Sequence, residues 1–141
     1  LISILFTCLV LISCKTRNDS PRISAQESAI RSMNSLIKKK QYSELYRNWC
    51  HPHLAEQINE PDFIKYMSST KGKEIDQLFT DVIAAIDNKA DKDILISQMK
   101  IDAKPPSYEY ILTKLKHNKI GFQWHLELQE DNGMWKLMDT D

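Results

Sequence analysis

A chain of 141 residues and 16.4 kDa holds one hydrophobic core and leaves no room for a second. Nineteen Lys and Arg balance nineteen Asp and Glu, so the chain lacks the basic field of a nucleic-acid-binding domain. Three Gly and five Pro exclude a low-complexity or collagen-like chain.

Residues 1–13 (LISILFTCLVLIS) are apolar at ten positions and carry no charge. The run is shorter than the roughly twenty residues a spanning helix needs, and it has the length of a secretory signal's hydrophobic region. It ends at Leu11-Ile12-Ser13-Cys14, directly before the polar stretch Lys15 to Arg22. These four residues resemble the bacterial lipobox: aliphatic, tolerant, small, cysteine. The resemblance implies cleavage before Cys14 and a diacylglyceryl group on its thiol, hence a lasting membrane anchor. Residues 15–22, fully extended, reach at most about 26–29 Å, so the domain works close to the membrane surface. Lys15 rather than Asp follows the cysteine, which by the same resemblance favours the outer membrane of the envelope. No Met and no basic segment precede Leu1, so the expectation is a sequence truncated at its start, or else a non-standard initiation at Leu1. The expected organisation is 1–13 signal, 14–22 lipidated cysteine and tether, and 23–141 one α+β domain. Cys8 leaves with the signal and Cys14 is acylated. Cys50 then stands alone, without an internal disulfide.

Ser24-Ala25-Gln26-Glu27 has the pattern of a capping box. Behind it Ala29, Ile30, Met33, Leu36 and Ile37 repeat at helical spacing. Lys38-Lys39-Lys40 closes the helix where its dipole favours cations. These lysines read as a solvated helix end; the weaker alternative is a contact with anionic head groups. Tyr42, Leu45, Tyr46 and Trp49 give a short second helix, which His51-Pro52-His53 is expected to interrupt. Asn59-Glu60-Pro61-Asp62 opens another, with Phe63, Ile64 and Met67 inward. After Gly72, Ile75, Leu78, Phe79, Val82, Ile83 and Ile86 form the cleanest amphipathic stripe in the chain.

From Asp93 the period changes to two. Leu95, Met99, Ile101 and Ala103 alternate with Gln98, Lys100 and Asp102, which predicts the apolar set inward in a first strand that Pro105-Pro106 ends. Tyr108, Tyr110 and Leu112 alternate in the second. Phe122, Trp124, Leu126 and Leu128 share one face of the third, while Gln123, His125, Glu127 and Gln129 share the other. Asn132-Gly133 signals a hairpin into a last strand, Met134 to Met138. Helices followed by an antiparallel four-stranded meander predict an α+β fold.

The aromatic second helix with "CHPHLAEQINEPDFIKYM" and the closing hairpin "GFQWHLELQEDNGMWKLMD" resemble the nuclear transport factor two-like fold. More narrowly they resemble the small bacterial lipoproteins built on it. The resemblance covers roughly residues 24–141. It implies N-terminal helices packed on a curved antiparallel four-stranded sheet, a cone with a pocket at its open end. Tyr108, Tyr110, Phe122, Trp124 and Leu126 are the expected pocket-lining residues.

Cys50, His51 and His53 are metal-ligand types, but nothing in the sequence brings His117 or His125 near them to complete a site. The plain reading is a helix-terminating loop with a buried thiol. No catalytic residue, metal or cofactor is assigned. Isomerases and dehydratases on the resembling fold place an acid inside the cone, whereas Glu127 and His125 fall on the opposite strand phase. The expectation is therefore a non-catalytic, lipid-anchored envelope module that binds a small apolar ligand or an envelope protein. An enzyme of the isomerase or dehydratase type is the alternative, and an interaction or inhibitor module using the sheet face is a third reading. The partly apolar phase of Ile111, Thr113 and Leu115 leaves room for a homodimer through the sheet.

Overall fold

The computed structural model describes residues 24–141; the apolar run of residues 1–13, Cys14 and the tether lie outside them. Five helices precede four strands. They are α1 (Ala25–Lys38), α2 (Tyr42–Trp49), α3 (Pro52–Gln57), α4 (Glu60–Met67), α5 (Thr70–Ile86), β1 (Ile94–Ile101), β2 (Ser107–Lys116), β3 (Lys119–Asp131) and β4 (Met134–Thr140). The strands form one antiparallel sheet in the order β1-β2-β3-β4. The fold is α+β, with helices packed against the sheet. No helix among the described residues is long and apolar enough to cross a membrane.

Local chemistry accounts for the helix ends. Ser24 Oγ accepts from Glu27 N at 3.1 Å and starts α1. Asn59 caps α4 through Asp62 N, and Ser69 caps α5 through Lys71 N. The α1 stripe is buried as the pattern predicts, against Leu78, Phe79 and Val82 of α5. Arg31 binds both carboxylate oxygens of Asp87 (2.6 and 3.3 Å) and ties α1 to the end of α5.

The β2–β3 and β3–β4 hairpins each turn on two residues at positive φ, His117-Asn118 and Asn132-Gly133. This is the mirror-image turn that matches strand twist. In β2 and β3 the alternation falls as expected: Tyr110, Leu112, Leu126 and Leu128 are buried beneath the helices.

One expectation is corrected and a second extended. In β1 the inward residues are Ile94 and Ile96, which pack on the core, while Leu95, Met99 and Ile101 are exposed on the opposite face. The strand is apolar on both faces at its start, so period two alone did not fix its phase; the register Ile96↔Leu112 does. The break expected at His51-Pro52-His53 does end α2, at Trp49, but it is short and opens directly into another helix. Pro52 occupies the first position of α3, where its missing N–H costs nothing.

Candidate functional site

Ile37 of α1, Leu45 of α2 and Phe63 and Met67 of α4 converge beside Leu137 of β4 around an open cavity of about 260 Å³. Leu54 and Gln57 of α3, with Ile58 at its end, form the outer wall. Tyr66, Ile75 and the β4 residues Asp139 and Thr140 complete the rim.

The wall exists because α3 is pinned at both ends. At its start, His51 N donates to Leu137 O at 2.7 Å, and Cys50 bridges to Leu137 in the parallel sense. His51 Nδ1 accepts from His53 N at 3.1 Å and so serves as the N-cap. At its end, the Tyr46 hydroxyl contacts Ile58 O at 2.7 Å and Ala55 O at 3.2 Å, while its ring packs 5.3 Å from that of Phe63. One α2 aromatic therefore joins α3 to α4.

The cavity is chiefly apolar. Its polar groups are Gln57, the Tyr66 hydroxyl, Asp139 and Thr140. Asp139 is exposed, and its Oδ1 accepts from Thr140 N at 2.7 Å; Tyr66 is exposed as well. Both groups remain in contact with water. The geometry suits an apolar body in the cavity and one polar end at the rim. At about 260 Å³ it lies just below the roughly 300 Å³ at which drug-sized sites begin, so it fits a small ligand.

A second cavity of about 210 Å³ shares Tyr66, Ile75 and Thr140 with the first and runs along α5 to Trp124. Beyond Trp124 a cleft of about 380 Å³ lies between Gln77 and Asp81 of α5 and Ile94, Leu112, Lys114 and Phe122 of the sheet. The five residues expected to line a pocket therefore separate. Tyr110 and Leu126 are fully buried core. Tyr108 is half-buried and its hydroxyl meets Gln98 Oε1 at 2.8 Å. Phe122 and Trp124, 4.7 Å apart and edge to face, line the cleft, and Trp124 also reaches the second cavity. None of the five lines the α3-walled cavity. Leu54 and Ile58, its distinctive residues, stand four apart behind His51-Pro52, a start signal that would have located the wall from sequence.

The Cys50 thiol is free and buried, and burial pushes its pKa up to about 12, which keeps it protonated and unreactive. Among the described residues no group of three or more His, Cys, Asp or Glu could hold a metal ion. On the sheet's outer face, His125 Nδ1 lies 2.5 Å from Glu109 Oε1, and Glu127 stands directly across from Glu109. Burial and then the Glu109 charge raise the Glu127 pKa. These positions are half-buried.

His51 carries a pH dependence. Burial lowers its pKa, against the pull of Asp131. The capping Nδ1 must also be unprotonated to accept from His53 N. A depressed histidine stabilises the fold fully above its unfolded value of about 6.5, and loses that contribution as pH falls through the lower folded value. Thermal melts should therefore show about 0.5–2 kcal/mol, the worth of an N-cap, disappearing on acidification below about pH 6.5. His51→Asn, which caps without titrating, should flatten that part of the profile. An unchanged profile would remove His51 as its cause.

The chain matches no protein-family model, no curated protein and no solved structure.

Proposed function

We propose that this chain is a lipid-anchored module of a bacterial envelope that holds a small apolar ligand in the α3-walled cavity and does no chemistry on it. The observation that carries the binding half is the cavity itself: about 260 Å³, apolar in its body, with a wall fixed by hydrogen bonds at both ends. Helices packed on one antiparallel meander agree with the nuclear transport factor two-like expectation. That fold is a cone whose open end is often a pocket. The anchor half rests on Leu11-Ile12-Ser13-Cys14 behind a charge-free apolar run.

Asp139 and Tyr66 on the rim support a second reading, an isomerase or dehydratase with a carboxylate base and a phenol donor. Their exposure weighs against it, because a reaction there would be open to bulk water.

The binding test is a titration of a chain beginning at Lys15 with the uncharged apolar dye N-phenyl-1-naphthylamine. Wild type should bind it saturably. Leu54→Trp, which fills the cavity from its wall, should weaken binding at least about tenfold, or ~1.4 kcal/mol. Asp139→Asn should bind as wild type does; a role for Asp139 as a base would appear instead as turnover that this variant abolishes. The anchor is tested separately in bacteria carrying the chain behind a complete signal. Labelled fatty acid should enter wild type and not Cys14→Ala, and equal labelling would end the lipoprotein reading.

A further inference from the structure

The β2–β3 hairpin runs past its neighbours. β1 pairs with β2 only as far as Ile94↔Lys114, and β4 pairs with β3 only from Leu126 onward. Residues 115–120 therefore form a two-stranded arm with no strand beside it among the described residues. It closes on the tight turn His117-Asn118.

The arm is apolar on both faces. Leu115 pairs with Ile120 and Lys114 with Phe122, so Gly121 is the extra residue of a β-bulge. Residues directly opposite share a face, while Lys114 and Leu115, as neighbours in one strand, take different ones. Ile120 and Phe122 thus project from opposite sides, exposed by 70% and 47%, and Ile120 is the most exposed large hydrophobic among the described residues.

One such residue alone would need no explanation. Its surroundings set it apart. Lys114, Lys116 and Lys119 are all exposed, and none is in an ion pair among the described residues. No acid lies between Lys114 and Phe122. At the base of the arm, where Asp93 O accepts from Leu115 N, the turn before β1 sets Lys89 and Lys92 against Asp91 and Asp93 and leaves the sign unchanged. A chain of zero net charge therefore has a basic, apolar end. The exposed Met99 and Ile101 of β1 differ: the lysine between them, Lys100, is paired with Asp102 at 3.3 Å.

We propose that this arm touches an anionic bilayer, with Ile120 entering the interface and Lys114, Lys116 and Lys119 on the head groups. Exposed apolar groups rimmed by charge mark interaction surfaces. The shape selects a bilayer: a narrow arm that is apolar on both faces offers a protein partner no single face, whereas a bilayer surrounds it. The lysine stems can hold their charges at head-group level while Ile120 lies deeper. Each lysine at such a surface strengthens binding about fivefold. The contact rests on the anchored reading for its proximity to a membrane. The start of α1 lies beside Gly133 and Met134, at the opposite end of β3, so anchor and arm hold the domain at two points.

The experiment uses the 141-residue chain with Cys8→Ser and Cys14→Ser, reconstituted into vesicles of phosphatidylcholine with or without phosphatidylglycerol. It carries the fluorophore NBD on Ile120→Cys or on Met99→Cys; the buried Cys50 thiol stays unlabelled. With phosphatidylglycerol present, emission from position 120 should shift to the blue and be quenched by nitroxide-labelled lipid. Position 99 should do neither. Lys116→Gln with Lys119→Gln, both at exposed positions, should keep the melting temperature, weaken the contact about 25-fold and remove the shift. A blue shift at 99 instead of 120, or one at 120 that ignores phosphatidylglycerol, would overturn the proposal. So would a chain that does not associate with the vesicles. A position 120 that stays in water on chain-bearing vesicles would also overturn it, and would leave the arm to an acidic protein. Cys14 is serine throughout, so none of these outcomes depends on acylation, which the fatty-acid labelling decides separately.

Discussion

Gly72→Ala is expected to destabilise the domain by about 3 kcal/mol or more, although alanine is the better helix former by about 1 kcal/mol. Gly72 is buried in the first turn of α5. A Cβ there would fall on the main-chain carbonyl of Met67, well inside van der Waals contact. Backbone cannot swing aside as a side chain can, so α4 would have to move away from α5. Met67 and Phe63 would leave the core and the cavity with it. The effect of steric overlap exceeds the propensity gain, and urea denaturation decides between them. A variant more stable than wild type would mean that the α4–α5 junction is looser than described.

The second large effect distinguishes core from cleft along one strand. Leu126→Ala is expected to cost about 2–5 kcal/mol, because Leu126 is fully buried between Tyr110 and the helices and its removal leaves a cavity. Trp124, two residues earlier on the same face, lines two open cavities and is only half-buried. Trp124→Ala should therefore cost clearly less than the roughly 3–5 kcal/mol of a fully buried indole. Equal losses at the two positions would show that the cleft beside Trp124 is closed in solution.

That gradient explains how much of the molecule the sequence makes legible. Strands β2 and β3 carry large residues on one face and polar ones on the other, so their phase follows from alternation. The reading fails at β1 because Leu95, Met99 and Ile101 outnumber Ile94 and Ile96 yet face outward. Only the register to β2 carries the information that decides it. The short α3 is hidden for a different reason. The proline that ends the run of α2 stands behind the capping His51 and so also opens the next helix, a second role that the break alone does not reveal. The cavity itself is assembled from α1, α2, α3, α4, α5 and β4, residues up to about a hundred positions apart. No local pattern marks such a set. The aromatic strand residues that do stand out locally turn out to be core, or to line the far cleft.

The central claim is that the α3-walled cavity is where a ligand goes. The most direct measurement is a methyl NMR titration with N-phenyl-1-naphthylamine. The methyl groups of Ile37, Leu45, Leu54, Ile58 and Leu137 should shift together and saturate together, while those of Leu95 and Ile101 on the outer face stay still. Shifts confined to Leu95 and Ile101, or no saturable shift anywhere, would contradict it.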